Sequence, residues 1–151
     1  MNPTLAERFI AENGAAVVVD GVTVVNMYRR PVKHEQKIAL HVLSAVQQPI
    51  QGLRIKLSEG TIRINNQDLK EVVVWLDTAP PDLEFLCNPK NGSSSELRVW
   101  NCWRDSNGVM QAWLGNAGIV AEETAKSVTL RCSTGTGVFD PSQLRVELQF
   151  M

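Results

Sequence analysis

Leu53-Arg54-Ile55-Lys56-Leu57-Ser58-Glu59-Gly60-Thr61-Ile62-Arg63-Ile64-Asn65 is the stretch whose reading decides the fold class. Leu53, Ile55 and Leu57 alternate with Arg54, Lys56 and Ser58, and only an extended strand sends successive side chains to opposite faces. Glu59-Gly60 is expected to turn the chain, and 61–65 to come back as a second strand.

The same period of two recurs in both directions from there. Toward the N-terminus, Ala15–Val19 and Val22–Met27 are valine-rich runs separated by Asp20-Gly21, a pair that accepts the positive φ angles of a tight hairpin. Ile38–Leu43 reads as a strand buried on both faces; a helix competes there, because Ala39–Gln47 contains no breaker. Toward the C-terminus, Glu71–Asp77 is apolar on both faces, which predicts a central strand, and Pro80-Pro81 ends it. Leu83–Cys87, Leu97–Arg104, Val109–Gly115 and Ser127–Ser133 read as further strands. Gln143–Phe150 closes the chain with Leu144, Val146, Leu148 and Phe150 on one face. Tyr28–Gln36 and Asn88–Ser95 read as loops, and 119–126 as one or two helical turns with Glu122-Glu123 exposed.

One helix opens the chain. Thr4 and Glu7 have the spacing at which each side chain can bond the other's free backbone N–H. Leu5, Phe9 and Ile10 share a face, and Gly14 follows as a C-terminal stop, so a helix is expected over about 5–13. About nine short strands with turn signals between them, and no strand–helix alternation, predict an all-β fold: a two-layer antiparallel β-sandwich, jelly-roll-like. A partly closed barrel is the alternative. The 151 residues are read as a single domain, 1–151, since a chain of this length buries roughly 70% of its unfolded surface.

Composition narrows the function classes. A net charge of −1 is a poor match to a nucleic-acid binder, whose affinity comes from phosphate contacts made by excess cations. The longest apolar run, Ala15–Val19, is far short of the ~20 residues that cross a bilayer as a helix. Glu7 and Arg8 stand where a signal peptide needs an apolar core. Cys87, Cys102 and Cys132 form no CxxC pair and are odd in number, so free structural thiols in a reducing, cytoplasmic compartment are expected, with one disulfide between two of the three as the alternative. A bacterial setting goes with an immunity-type role.

No motif reaches the strength of a catalytic or metal-binding signature, so no catalytic residue, metal or cofactor is assigned. Ser133-Thr134-Gly135-Thr136-Gly137 follows a strand, as a phosphate loop does, but leads into Phe139-Asp140-Pro141 and another strand instead of a helix. His34 and His41 start no metal-ligand pattern, and three cysteines beside two histidines are a chance pairing far more often than a nucleophile and its base. Arg29, Arg30 and Lys33, next to Tyr28, form the only basic cluster, and such a cluster is usually just solvated.

Leu97–Arg104 carries the strongest functional signal. Its odd-numbered face, Leu97, Val99, Asn101 and Trp103, is apolar enough for core; the other bears Arg98, Trp100, Cys102 and Arg104. A two- or four-residue turn before Val109 would set Gln111 and Trp113 beside Trp100 and put Met110, Ala112 and Leu114 on the core side; a three-residue turn with a bulge would reverse the second strand. Trp and Arg are enriched at binding hot spots, so Trp100, Trp113, Arg98, Arg104 and Gln111 are the candidate recognition residues. The competing reading is that a loop or helix covers this face and the Trp pair is a small second core.

The function expected is a non-catalytic binding module for a protein partner, in an inhibitor or immunity-type role. Its alternatives are a carbohydrate-binding module and a small enzyme with a loop-assembled site using His41, Cys102, Asp77 and Asp105.

Overall fold

The computed structural model describes residues 3–92 and 95–151. The N-terminal helix α1 spans Leu5–Ala11, and Thr4 and Glu7 close the expected capping box: Glu7 N donates to Thr4 Oγ1 at 3.3 Å and Thr4 N to Glu7 Oε1 at 3.1 Å. Leu5 and Phe9 are buried, whereas Ile10 is exposed, one position off the buried stripe.

Apart from a 3-10 turn at Lys90–Gly92, the regular structure after α1 among the described residues is antiparallel strand. In chain order these are β1 (Val17–Val19), β2 (Val22–Val24), β3 (Tyr28–Val32), β4 (Gln36–Ala45), β5 (Gln51–Leu57), β6 (Gly60–Ile64) and β7 (Gln67–Leu69). They continue with β8 (Glu71–Trp75), β9 (Asp82–Pro89), β10 (Ser95–Arg104), β11 (Met110–Gln111), β12 (Gly118–Glu123), β13 (Ser127–Ser133) and β14 (Leu144–Phe150). Three open sheets result: the two-stranded β1-β2, a five-stranded one ordered β11-β10-β5-β8, with β3 sharing β11's edge of β10, and a seven-stranded one ordered β12-β13-β14-β4-β9-β6-β7. This is a β-sandwich and not a barrel. Its core is made where the inward rows meet, Leu53, Ile55, Leu97 and Val99 from one sheet against Leu40, Leu130, Val146 and Leu148 from the other, none more than 1% exposed. Each inward side chain of that size is worth about 1.5–3 kcal/mol of burial.

The β1–β2 hairpin forms as expected, with Asp20 and Gly21 both at positive φ. Other local readings are corrected. Glu59-Gly60 does not fold β6 back onto β5; the chain crosses to the opposite sheet, where β6 pairs with β7 and β9. The expected loop at Tyr28–Gln36 contains β3, because Tyr28 and Val32 bury themselves against β10. The expected helical turns at 119–126 are strand β12, paired along its whole length with β13. β8 is an edge strand: its Val73 faces outward and is 38% exposed, while Val72 and Val74 are buried. The expected loop over Asn88–Ser95 is shorter, β9 running to Pro89 and β10 starting at Ser95; positions 93 and 94 lie outside the described residues. Fourteen strands are described against about nine expected; β3, β7 and β12 are the ones that went unread.

β14 lies inside the seven-stranded sheet, between β13 and β4, with Leu144, Val146 and Leu148 fully buried and Phe150 9% exposed. Removing Leu144–Met151 deletes that inward row and leaves two ladders unpaired, a loss comparable to a domain's whole net stability of about 5–15 kcal/mol. The truncated chain should show no cooperative transition in a circular-dichroism melt.

Candidate functional site

Gly108 decides how the Leu97–Gln111 hairpin is built. It sits at φ 78°, the left-handed conformation that closes a three-residue turn over 106–108. Asp105 clamps this turn, its Oδ1 accepting from Asn107 N at 2.9 Å and Val109 N at 3.0 Å, while Gly108 N donates to the Asp105 carbonyl at 2.9 Å. Trp103 therefore faces Gln111, and Arg104 faces Met110. The expected two- or four-residue turn is thus corrected. Gln111 lies on the Trp103 side and donates to Asp105 Oδ2 at 3.0 Å, whereas Met110 is turned outward.

Trp113 nevertheless reaches Trp100, by a different route. β11 ends at Gln111, and Trp113 takes a positive φ of 59° that no regular strand allows, which swings its indole back over β10. The rings stack with centroids 5.0 Å apart and planes 22° from parallel. Trp113 Nε1 donates to the Asn26 carbonyl at 2.9 Å and pins the arrangement. Of the pair, Trp100 is buried at 3% exposure and Trp113 is 42% exposed. The covering element is the segment after β11, and its outer surface is Trp113 itself.

Around this stack the outer face of the five-stranded sheet gathers side chains from four strands. On β10 the odd-numbered row, including Leu97, Val99 and Trp103, is buried, and the even-numbered row is outward, in register with Gly52, Arg54 and Lys56 of β5. The Arg54 guanidinium lies 5.0 Å from the Trp100 ring and is ion-paired with Glu71. Arg104 lies 4.2 Å from the Trp75 ring, with the Asp77 carboxylate at 3.9 Å. Arg98 bonds Glu96 at 2.9 Å, and Arg29 of β3 approaches the same carboxylate at 3.5 Å. Gly52 makes room for Trp75: a Cβ there would stand 2.8 Å from its ring and 2.9 Å from Cys102 Sγ. Arg54, Lys56, Glu71 and Trp75 were not singled out from the sequence, and the only signal for them was the outward parity of Arg54 and Lys56.

The basic cluster beside Tyr28 is split. Arg29 joins the outer face, while Arg30 turns the other way, stacks 3.8 Å from the Phe150 ring and donates to the Ala125 carbonyl at 3.1 Å. The opposite outer face, on the seven-stranded sheet, presents exposed polar pairs such as Lys37 with Glu84 and Arg131 with Glu122.

The four residues weighed for catalysis are not brought together; no hydrogen bond or ion pair joins any two of them. His41 Nδ1 is 2.5 Å from Asp82 Oδ1 and its Nε2 is 3.3 Å from Gln149 Oε1, with no hydroxyl or thiol in the network. Asp105 is committed to its turn, and Cys102 is buried beneath Trp75. A cleft of about 420 Å³, bordered by Val46, Ile50, Gln51 and Leu76, includes Asp77 but none of the other three. Among the described residues no three His, Cys, Asp or Glu side chains stand close enough to hold a metal ion, and no helix is long and apolar enough to cross a membrane. No family model matches the chain, and no curated protein or solved structure matches it either.

Cys87, Cys102 and Cys132 are free and buried, and burial raises all three thiols, Cys87 and Cys102 to about 12. A thiol reagent at pH 8 should label none of them in the native protein and all three after denaturation. Hydrogen bonding to Asp82 raises His41 above its ordinary 6.5, against a smaller desolvation effect. The charged imidazole is thus the form the folded state favours; its contribution is complete below the unfolded value and is lost as pH rises through the folded one. A proton NMR titration should find His41 titrating above 6.5 in the parent, and lower in Asp82→Asn.

Proposed function

We propose that this chain is a non-catalytic binding module that recognises a protein partner through the tryptophan- and arginine-bearing outer face of its five-stranded sheet. The observation that carries the reading is the Trp100–Trp113 stack: one indole is buried as a floor, and the other lies 42% exposed upon it, held by its own N–H. A large ring held rigid on its hidden side loses little conformational freedom when its exposed side is covered, which is what a hot-spot residue requires. Met110, Val73 and Trp113 supply exposed apolar area on this face, and Arg29, Arg54, Lys56, Arg98 and Arg104 outnumber the carboxylates among them. The partner this chemistry suits presents apolar surface ringed by carboxylates. An inhibitor or immunity-type role belongs to the same proposal, since such proteins act by occupying a partner's surface.

Melting and capture separate the two indoles. Trp113→Ala should cost about 1–2 kcal/mol, the stack and one hydrogen bond of a half-exposed ring. Trp100→Ala, which empties a buried site, should cost about 3–5 kcal/mol. In pull-downs from the native cell, the parent should retain a stoichiometric protein that Trp113→Ala and Arg98→Ala lose, while Lys37→Ala on the opposite face keeps it. Retention unchanged by Trp113→Ala and Arg98→Ala sinks the assignment of this face.

A further inference from the structure

Among the described residues, the edge strands of the two main sheets other than β8 are short, proline-bearing or bridged. On β10, Glu96 O accepts from Ser58 N and Arg104 N donates to Ile50 O, so its even-numbered residues turn their backbone groups to β5 and its odd-numbered residues to β3. Arg29 and Pro31 of β3 therefore face away from β10, and Pro31 has no N–H to offer there. β11 is two residues long and its chain curls off at Trp113. β12 is already bridged on its far side, where Val25 and Ile119 exchange both backbone bonds at 2.8 and 2.9 Å. β7 has three residues and carries the Asp68–Arg63 ion pair.

β8 is the exception. Leu76 N donates to Gln51 O, which makes Leu76, Val74 and Val72 the residues that bond β5, and leaves the backbone groups of Glu71 and Val73 and the N–H of Trp75 pointing away from it. No proline, bulge or register shift interrupts the strand, whose sequence is Glu71-Val72-Val73-Val74-Trp75. Natural sheets usually block such an edge with a charge, a proline or a twist; the one charge on β8, Glu71, stands at its first residue and is paired with Arg54 within the same sheet.

The edge is also self-complementary. When a second β8 is laid against it antiparallel with Val73 on the two-fold axis, Val73 faces Val73, Val72 faces Val74, and Glu71 faces Trp75 of the other copy. On the outer side, the Glu71 carboxylate then meets the Trp75–Arg104 pair of the second copy; on the inner side, valine continues the apolar row. No like charges are set opposite one another. We propose that this chain associates with a second copy of itself through the β8 edge, joining the two five-stranded sheets into one continuous sheet that carries both tryptophan faces on the same side. A contact of this length is small, so the association is weak and depends on concentration.

Sedimentation velocity on the full chain, from about 10 µM to about 1 mM, covers the range in which a contact of this size forms. The parent should pass from monomer to dimer across that range. Val73→Lys and Val73→Glu, each at a half-exposed outward position, should both remain monomeric with melting temperatures close to the parent's. Mixed in equal amounts they should dimerise again, because the lysine of one then lies opposite the glutamate of the other. A parent that stays monomeric at the highest concentration overturns the proposal, as do variants that each dimerise like the parent. A mixture that stays monomeric while the parent dimerises removes Val73 from the axis, and the proposal with it. The pull-down reads Trp113 and Arg98 on the sheet's face and the sedimentation reads Val73 at its rim, so the two results fail independently.

Discussion

The central constraint in this protein is that β10 is buried on both faces. Its inward row, Leu97, Val99 and Trp103, meets the core, as any sandwich strand does. Its outward row contains Trp100 at 3% exposure and Cys102 at 0%, so something must cover that side as well. The cover is not another layer of secondary structure. It is Trp113 on Trp100, Trp75 over Cys102, and the guanidinium groups of Arg54 and Arg104 laid on indole rings. Arginine suits this duty because its planar group stacks on an aromatic face while its edge stays hydrated and charge-paired.

That arrangement makes the two outer faces of the sandwich physically unlike. The seven-stranded sheet turns a row of exposed ion pairs to water, each worth little and easily screened. The five-stranded sheet turns outward a set of rings already fixed by stacking, which presents apolar area without the freedom that a lone exposed tryptophan would have to lose on contact. The same sheet ends in β8, whose outward valine and free backbone groups continue that surface to its rim. Among the described residues the three thiols are buried, and His41, Asp77, Cys102 and Asp105 stand apart from one another.

Much of the architecture was legible in the residue order. The capping box at Thr4 and Glu7, the Asp20-Gly21 hairpin, the inward row of β14 and the odd-numbered core face of β10 all follow from neighbours within a few positions. The proximity of Trp100 and Trp113 was also anticipated, though the expected turn was not the one that forms. Asp105 and Gly108 build a three-residue loop, and the contact is recovered only because Trp113 leaves the strand conformation. A left-handed tryptophan carries no signature in sequence; the stack and the bond to Asn26 hold it there.

Side-chain alternation is a property of the backbone at each residue, so the sequence by itself determined most of the extended segments and their apolar faces, β3, β7 and β12 excepted. It also determined the sites of tight turning, where Asp and Gly accept angles that other residues resist. Which strand pairs with which is a different matter, because it is settled by contacts between residues far apart in the chain. Only the tertiary structure decided that the chain after Leu57 crosses to the other sheet, that the valines of β8 lie at an edge, and that 118–123 is extended and not helical. It likewise decided that Arg54 and Trp75, unremarkable in their own segments, complete the tryptophan face of β10: their rings and charges acquire meaning only from what is packed against them.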